Sequence, residues 1–133
     1  MIRIFAFACA LLAPAAAMSQ DYRSDIGLKV RAIDASHFVV AGTPSSSAKT
    51  YWCAASEFLR DSSRNLNKVR ITVVDPVGSI ASDRRDVGFS IAADADKGSA
   101  ASASISVTAK GANLSLALAA EFCSDLRRQE NGL

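Results

Sequence analysis

The sequence predicts a small α+β domain in which an antiparallel sheet of about five strands carries two helices on one face. Five short segments alternate apolar and polar residues, which is the period of half-buried strands. Two further segments repeat their apolar residues at helical spacing. Helices segregated to one face of an antiparallel sheet are the usual α+β arrangement, and the predicted element order is β-β-α-β-β-β-α.

The first seventeen residues predict a secretory signal peptide. Arg3 supplies a positive start, residues 4–12 are uniformly apolar, and Ala15, Ala16 and Ala17 are small residues of the kind found before a cleavage site. The apolar run is shorter than the roughly 20 residues that cross a bilayer as a helix. We therefore expect cleavage after Ala17, with Ser19 as the alternative, and export to the periplasm or the extracellular space.

The remainder, residues 18–133, has the size of one small α+β domain with one modest core. Without Arg3, Lys and Arg outnumber Asp and Glu by only one. So small a basic excess argues against a nucleic-acid partner, which usually requires a strongly basic surface. No second apolar segment is long enough to span a membrane, so we predict no transmembrane segment in the mature chain.

Cys53 and Cys123 are the only cysteines after the predicted signal peptide. Two cysteines in an exported chain most simply form one disulfide, which here would join the two predicted helices. Their spacing differs from the Cys-x-x-Cys pattern of redox-active pairs, so a structural bridge is favoured over a catalytic one.

The five predicted strands rest on the same alternation of side chains. They cover residues 26–32, 37–41, 69–73, 87–91 and 103–109. The first two are predicted to form a hairpin around Asp34, whose side chain can accept backbone hydrogen bonds in a turn. Residues 75–78, Asp-Pro-Val-Gly, are predicted to end the third strand as a turn.

The two predicted helices begin at residues that commonly cap helices. Thr50 is the predicted N-cap of the first helix, which ends near Asp61. Tyr51 and Trp52 on this helix are expected to pack against the sheet; an exposed recognition pair is the alternative. Asn113 is the predicted N-cap of the second helix, which ends near residue 126. Residues 114–118 also fit a strand, but the frequency of alanine favours the helix.

Two cysteine-containing segments resemble a known group of proteins. Residues 50–58, Thr-Tyr-Trp-Cys-Ala-Ala-Ser-Glu-Phe, and the pair Phe122-Cys123 are similar to segments of small exported alphaproteobacterial proteins that have no assigned function. In that group an aromatic-Trp-Cys segment opens a helix and an aromatic-Cys pair lies near the C-terminus. The resemblance implies the disulfide and export, covers the strands only loosely, and implies no activity.

No motif in the sequence predicts a catalytic residue, a metal or a cofactor. His37 is the only histidine, and the Gly-x-Ser-x-Gly turn of a serine hydrolase is absent, so His37 is expected to cap a turn or lie at the surface. One histidine and two oxidised cysteines are too few ligands for zinc. Residues 94–105 depart from a calcium loop at its glycine and glutamate positions. Glu57 and Glu121 lie on the predicted helices and are expected to face solvent.

One charge pattern indicates a binding surface. Lys29 and Arg31 alternate with apolar residues on one predicted strand, and Lys68 and Arg70 do so on another. If the two strands were neighbours, their open face would carry a basic stripe able to bind an anionic partner. The alternative is that these charges keep the strands soluble and prevent edge-to-edge pairing.

The sequence thus predicts a small exported, non-catalytic binding or accessory protein of the cell envelope. Its expected partner is an envelope protein or an anionic polymer, bound by Lys29, Arg31, Lys68 and Arg70. The alternative is a small secreted hydrolase-type enzyme whose site forms only in the folded chain.

Overall fold

A six-stranded antiparallel sheet and two helices form the two layers of the structure, a computed structural model that describes residues 21–61, 68–93 and 104–132. The elements follow the order βββαβββα. The strands are β1 (Asp21–Arg23), β2 (Lys29–Ala32), β3 (His37–Ala41), β4 (Val69–Asp75), β5 (Asp86–Ala93) and β6 (Asn113–Ser115), and the helices are α1 (Ala48–Asp61) and α2 (Leu116–Glu130). The predicted α+β class and the helix-linking disulfide are confirmed. The predicted signal peptide and the loop segments at 62–67 and 94–102 lie outside the described residues.

The strand order across the sheet is β1-β2-β3-β5-β4-β6, and every neighbouring pair is antiparallel. After α1 the chain forms β4 and then β5, and it is β5, the second of these two strands, that pairs with β3. As a consequence β2 and β4 are separated by two strands.

Two strands differ from those predicted. β1 has three residues, too few for an alternating pattern to be recognised. Residues 104–109 do not form a strand, because Ser104 Oγ accepts from the Ser106 backbone N–H and Ser106 Oγ accepts from that of Thr108. Such local bonds compete with a sheet ladder for the backbone groups. The last strand is instead β6, and residue 103 lies outside the described residues.

Both helices are capped by a residue other than the predicted one. Ser47, not Thr50, precedes α1, and its Oγ accepts from the Thr50 backbone N–H at 3.4 Å. Ser115, not Asn113, is the N-cap of α2, with its Oγ accepting from the backbone N–H of Leu118 at 3.2 Å. Asn113 belongs to β6, where its buried side-chain amide accepts a hydrogen bond from Arg70 and donates one to the Gly111 carbonyl.

The core lies between the sheet and the helices and is centred on Trp52. The indole is fully buried, lies edge-on to the Phe89 ring at 5.1 Å, and donates from Nε1 to the Ile105 carbonyl at 2.6 Å. Tyr51 is also buried and donates its hydroxyl proton to the Arg85 carbonyl at 2.6 Å. The tyrosine hydroxyl occupies the space that a Cβ would need at Gly42. Packing of this aromatic pair against the sheet is therefore confirmed.

We expect Trp52 to emit at short wavelength and to resist aqueous quenchers, because its ring is excluded from water. Fluorescence of the native protein with increasing acrylamide, compared with the denatured chain, measures this. Equal quenching in the two states would contradict the burial.

Replacing both cysteines, Cys53→Ala with Cys123→Ala, should lower the free energy of unfolding by about 4 kcal/mol, since the bridge closes a loop with a sequence separation of 70. Urea unfolding of the oxidised protein and the double variant gives the difference. Coincident unfolding curves would show that the bridge does not stabilise the fold.

Candidate functional site

The predicted basic stripe does not form, because its two strands are not neighbours. Val30 points into the core, so Lys29 and Arg31 lie on the face of the sheet opposite the helices. Arg70 lies on the same open face but on β4, three strand positions away, or about 14 Å at the usual strand spacing. Lys68 is exposed and precedes β4. The four residues therefore form two separate groups.

Arg70 has a structural role in the sheet. Its Nη1 donates to Asn113 Oδ1 at 2.6 Å, and Asn113 Nδ2 donates to the Gly111 carbonyl at 2.9 Å. Asn113 is fully buried, so these bonds compensate for removing its amide from water. Arg70 thereby joins β4 to the short edge strand β6.

Lys29 and Arg31 have a third basic neighbour, Arg23, which was not predicted from the sequence. Arg23 on β1 is the direct cross-strand partner of Lys29, and Asp21 is that of Arg31. We call Arg23, Lys29 and Arg31 the basic corner. All three are exposed, and no salt bridge to them is found among the described residues. Like charges directly opposite one another in a sheet disfavour strand pairing.

A second candidate site is a polar pocket between the two helices and the turn that joins β1 to β2. Its volume is about 410 Å³, and we call it the helix–hairpin pocket. It is lined by Tyr22, Asp25, Glu57, Arg60, Asp61 and Arg127. Three carboxylates, two guanidinium groups and a phenol therefore converge at one place.

Glu57 lies at the buried end of this pocket, so the expectation that it faces solvent was wrong. The residue is 6% exposed, its Oε2 accepts from the Asp25 backbone N–H at 2.9 Å, and its Oε1 lies 3.8 Å from Arg127 Nη2. Burial raises the pKa of Glu57, and the charges of Asp25 and Asp61 act in the same direction. The Asp25 N–H and Arg127 offset this only in part.

Tyr22 and Asp61 form the outer wall of the pocket. Burial, the hydrogen bond to Asp61 and the nearby carboxylates all raise the pKa of the Tyr22 phenol. The Tyr22 ring also packs against Phe58 at 5.7 Å, which ties β1 to α1. The pocket thus holds a neutral phenol beside negative charge, an arrangement able to orient a polar or cationic ligand.

The disulfide adjoins the same carboxylate. Glu57 Oε1 lies 3.8 Å from Cys53 Sγ, and the two sulfurs and this oxygen lie within 4.8 Å of one another. All three residues are buried. Cys53 and Glu57 are four residues apart on α1, a spacing that places side chains on one helix face. This spacing was the available signal for the cluster, but the sequence did not show that Glu57 would turn inward.

His37 caps a turn, as predicted. Its Nδ1 lies 2.9 Å from Asp34 Oδ1, which also accepts from the Ser36 backbone N–H at 2.7 Å. The bond from Ser36, followed by that from His37, lowers the pKa of Asp34. Ser90 lies directly across from His37 on β5, but no hydrogen bond joins the two side chains.

These features define a two-layer, disulfide-linked α+β protein with a basic corner on its open sheet face and a polar pocket beside its helices. Comparison with family models, curated proteins and solved structures found no match in any of the three. None of the helices among the described residues is long and apolar enough to cross a membrane.

The variant Glu57→Gln should raise the free energy of unfolding relative to the wild type at neutral pH, with the gain shrinking as the pH falls. Because the pKa of Glu57 is raised in the folded state, the protonated side chain favours folding. This contribution to the free energy of unfolding is fully present below about pH 4.5. It is lost as the pH rises through the folded-state pKa, where the buried carboxyl group ionises. Glutamine carries no charge and retains an oxygen that can accept from Asp25.

Urea unfolding of both proteins at about pH 4 and pH 7 measures the difference. Glu121→Gln, an exposed change on α2, is the matched control and should show no such trend. A Glu57→Gln protein that becomes progressively less stable than the wild type towards pH 7 would contradict this account.

Proposed function

We propose that the protein is an exported, non-catalytic binding or accessory protein of the cell envelope that recognises an anionic partner through the basic corner. The observation that carries this proposal is the direct pairing of Arg23 with Lys29, with Arg31 on the same face. A sulfate, phosphate or carboxylate group between these cations relieves the repulsion and forms charge-assisted hydrogen bonds.

Export rests on the sequence of the first seventeen residues and on the disulfide. Disulfides persist in oxidising compartments and are rare in the cytosol. The bond between Cys53 and Cys123 accords with that location. The similarity of the two cysteine segments to small exported alphaproteobacterial proteins supports the same location and no particular activity.

The partner's chemistry is limited by the size of the corner. Directly opposed side chains in a sheet lie about 5 Å apart, and residues two apart on one strand about 7 Å. Arg23 and Lys29 are directly opposed, whereas Arg31 lies opposite Asp21, so the corner matches one anionic group of a larger ligand between Arg23 and Lys29. An anionic envelope polymer, or an envelope protein with clustered carboxylates, has this character.

Reversing the charge of the corner, Lys29→Glu with Arg31→Glu, should weaken binding to a sulfated dextran by about tenfold or more, roughly 1.4 kcal/mol. Titration calorimetry at low salt measures the affinity, which should fall as salt is added. Arg70 is left unchanged, because Arg70→Glu would break its bond to the buried Asn113.

The matched control is Arg84→Glu with Lys110→Glu, which changes the net charge equally at two exposed positions outside the corner. Lys68→Glu alone tests the wider surface predicted from the sequence. If the control variant binds the dextran as weakly as the corner variant does, net charge and not the corner explains the effect, which would refute the proposal. Unchanged binding by the corner variant would refute it as well. A capture from envelope extract with the same proteins then identifies the natural partner.

A small hydrolase-type enzyme is the second candidate function, and the helix–hairpin pocket is the observation that favours it. Carboxyl groups in unlike environments can divide the roles of acid and base. Glu57, with its raised pKa, would donate the proton, and Asp61, which is exposed at the same pocket, is the carboxyl group placed to act as the base. Hydrolysis of a glycoside or ester panel that is abolished by Glu57→Gln, and retained in the corner variant, would replace the binding proposal with this one.

A further inference from the structure

We propose that Cys53, Cys123 and Glu57 form a redox-gated metal site. When the disulfide is reduced, the two thiolates and the Glu57 carboxylate bind one thiophilic divalent cation of the zinc type, with water as the fourth ligand. The site is independent of the basic corner and of the proposed binding function.

The geometry of the oxidised protein is close to that of such a site. Zinc–sulfur and zinc–oxygen bonds of about 2.3 and 2.1 Å place tetrahedral ligand atoms about 3.6–3.8 Å apart. Glu57 Oε1 already lies 3.8 Å from Cys53 Sγ, and the three potential ligand atoms fall within 4.8 Å. Two changes complete the site: the two sulfurs move apart from bonding distance to about 3.8 Å, and Cys123 Sγ moves to about 3.6 Å from the Glu57 carboxylate.

The fold holds these ligands together by more than the disulfide. Cys53 and Glu57 lie on one face of α1, while Cys123 faces them from α2. Lys49 and Asp125 form a second link between the helices, with Nζ and Oδ2 3.6 Å apart. Both helices also contribute buried residues to the core, so reduction leaves the three ligands near one another.

The surroundings suit a bound cation. Two thiolates and a carboxylate carry three negative charges, which a divalent ion and the nearby Arg127 offset. Ser56 Oγ donates to the Cys53 carbonyl at 2.8 Å and lies 3.6 Å from Cys123 Sγ, so a polar side chain fixed by the helix adjoins the second sulfur. Because Glu57 lines the helix–hairpin pocket, the pocket provides a route for the ion and space for the water ligand.

The redox step requires a two-electron reductant, which in a cell is a dithiol. It transfers two electrons and two protons to the Cys53–Cys123 bond, which breaks to give two thiols while the reductant becomes a disulfide. The metal then displaces both thiol protons as its two bonds to sulfur form. The disulfide and the metal are mutually exclusive, so an oxidising compartment keeps the site closed and metal binding opposes reoxidation.

Cobalt(II) titration of the purified protein, reduced with a phosphine under anaerobic conditions, tests the site. We expect a one-to-one complex with thiolate-to-cobalt charge-transfer absorption and the intense visible bands of tetrahedral cobalt, both removed by added Zn²⁺. The oxidised protein should show neither. Octahedral cobalt alone, or no spectral change after reduction, would overturn the proposal.

Variants separate a built site from incidental binding by free thiols. Cys53→Ser should abolish the charge-transfer absorption, and Glu57→Gln should weaken cobalt affinity by about tenfold or more and alter the visible bands. Glu121→Gln on α2 is the matched control and should bind like the wild type. Quenching of Trp52 verifies that each reduced protein remains folded. Equal binding by the two glutamine variants, or cobalt bound only when Trp52 becomes accessible, would refute the site.

Discussion

The contact between α1 and α2, crossed by the covalent bond between Cys53 and Cys123, is the contact on which the polar features of this face depend. It places α2 alongside α1, so that Arg127 reaches Glu57 and lines the helix–hairpin pocket. The neighbouring residue Trp52 fills the core below and bonds to the Ile105 carbonyl. One link therefore positions both the apolar packing of α1 and its buried carboxylate.

The order of the strands separates charges that are regularly patterned in the sequence. Because α1 connects β3 to a hairpin whose second strand returns beside β3, β2 and β4 cannot be neighbours. Lys29 and Arg31 therefore combine with Arg23 from β1, while Arg70 is committed to Asn113. The same alternation of basic residues thus contributes to an exposed cluster at β2 and to a structural hydrogen bond at β4.

Local patterns in the sequence were sufficient for the class of fold, the two-cysteine bridge and the turn at Asp34. They failed where a local bond or a distant contact decided the outcome. The hydroxyls of Ser104 and Ser106 accept backbone N–H groups at residues 106 and 108, which therefore do not join the predicted strand. Asn113, a good helix cap by residue type, entered a strand because Arg70 and Gly111 satisfy its buried amide. The pairing of Arg23 with Lys29 depended on a strand of three residues.

Glu57 shows most clearly why a site can be absent from a sequence pattern. On α1 alone it is an ordinary charged helix residue, and only the turn after β1 and the approach of α2 enclose it. Its two oxygens then have separate surroundings. Oε2 holds the Asp25 N–H and so fixes the hairpin that carries the basic corner, whereas Oε1 faces Cys53 and Arg127. Because the roles are divided between two atoms, Oε1 can become a metal ligand while Oε2 continues to hold the hairpin.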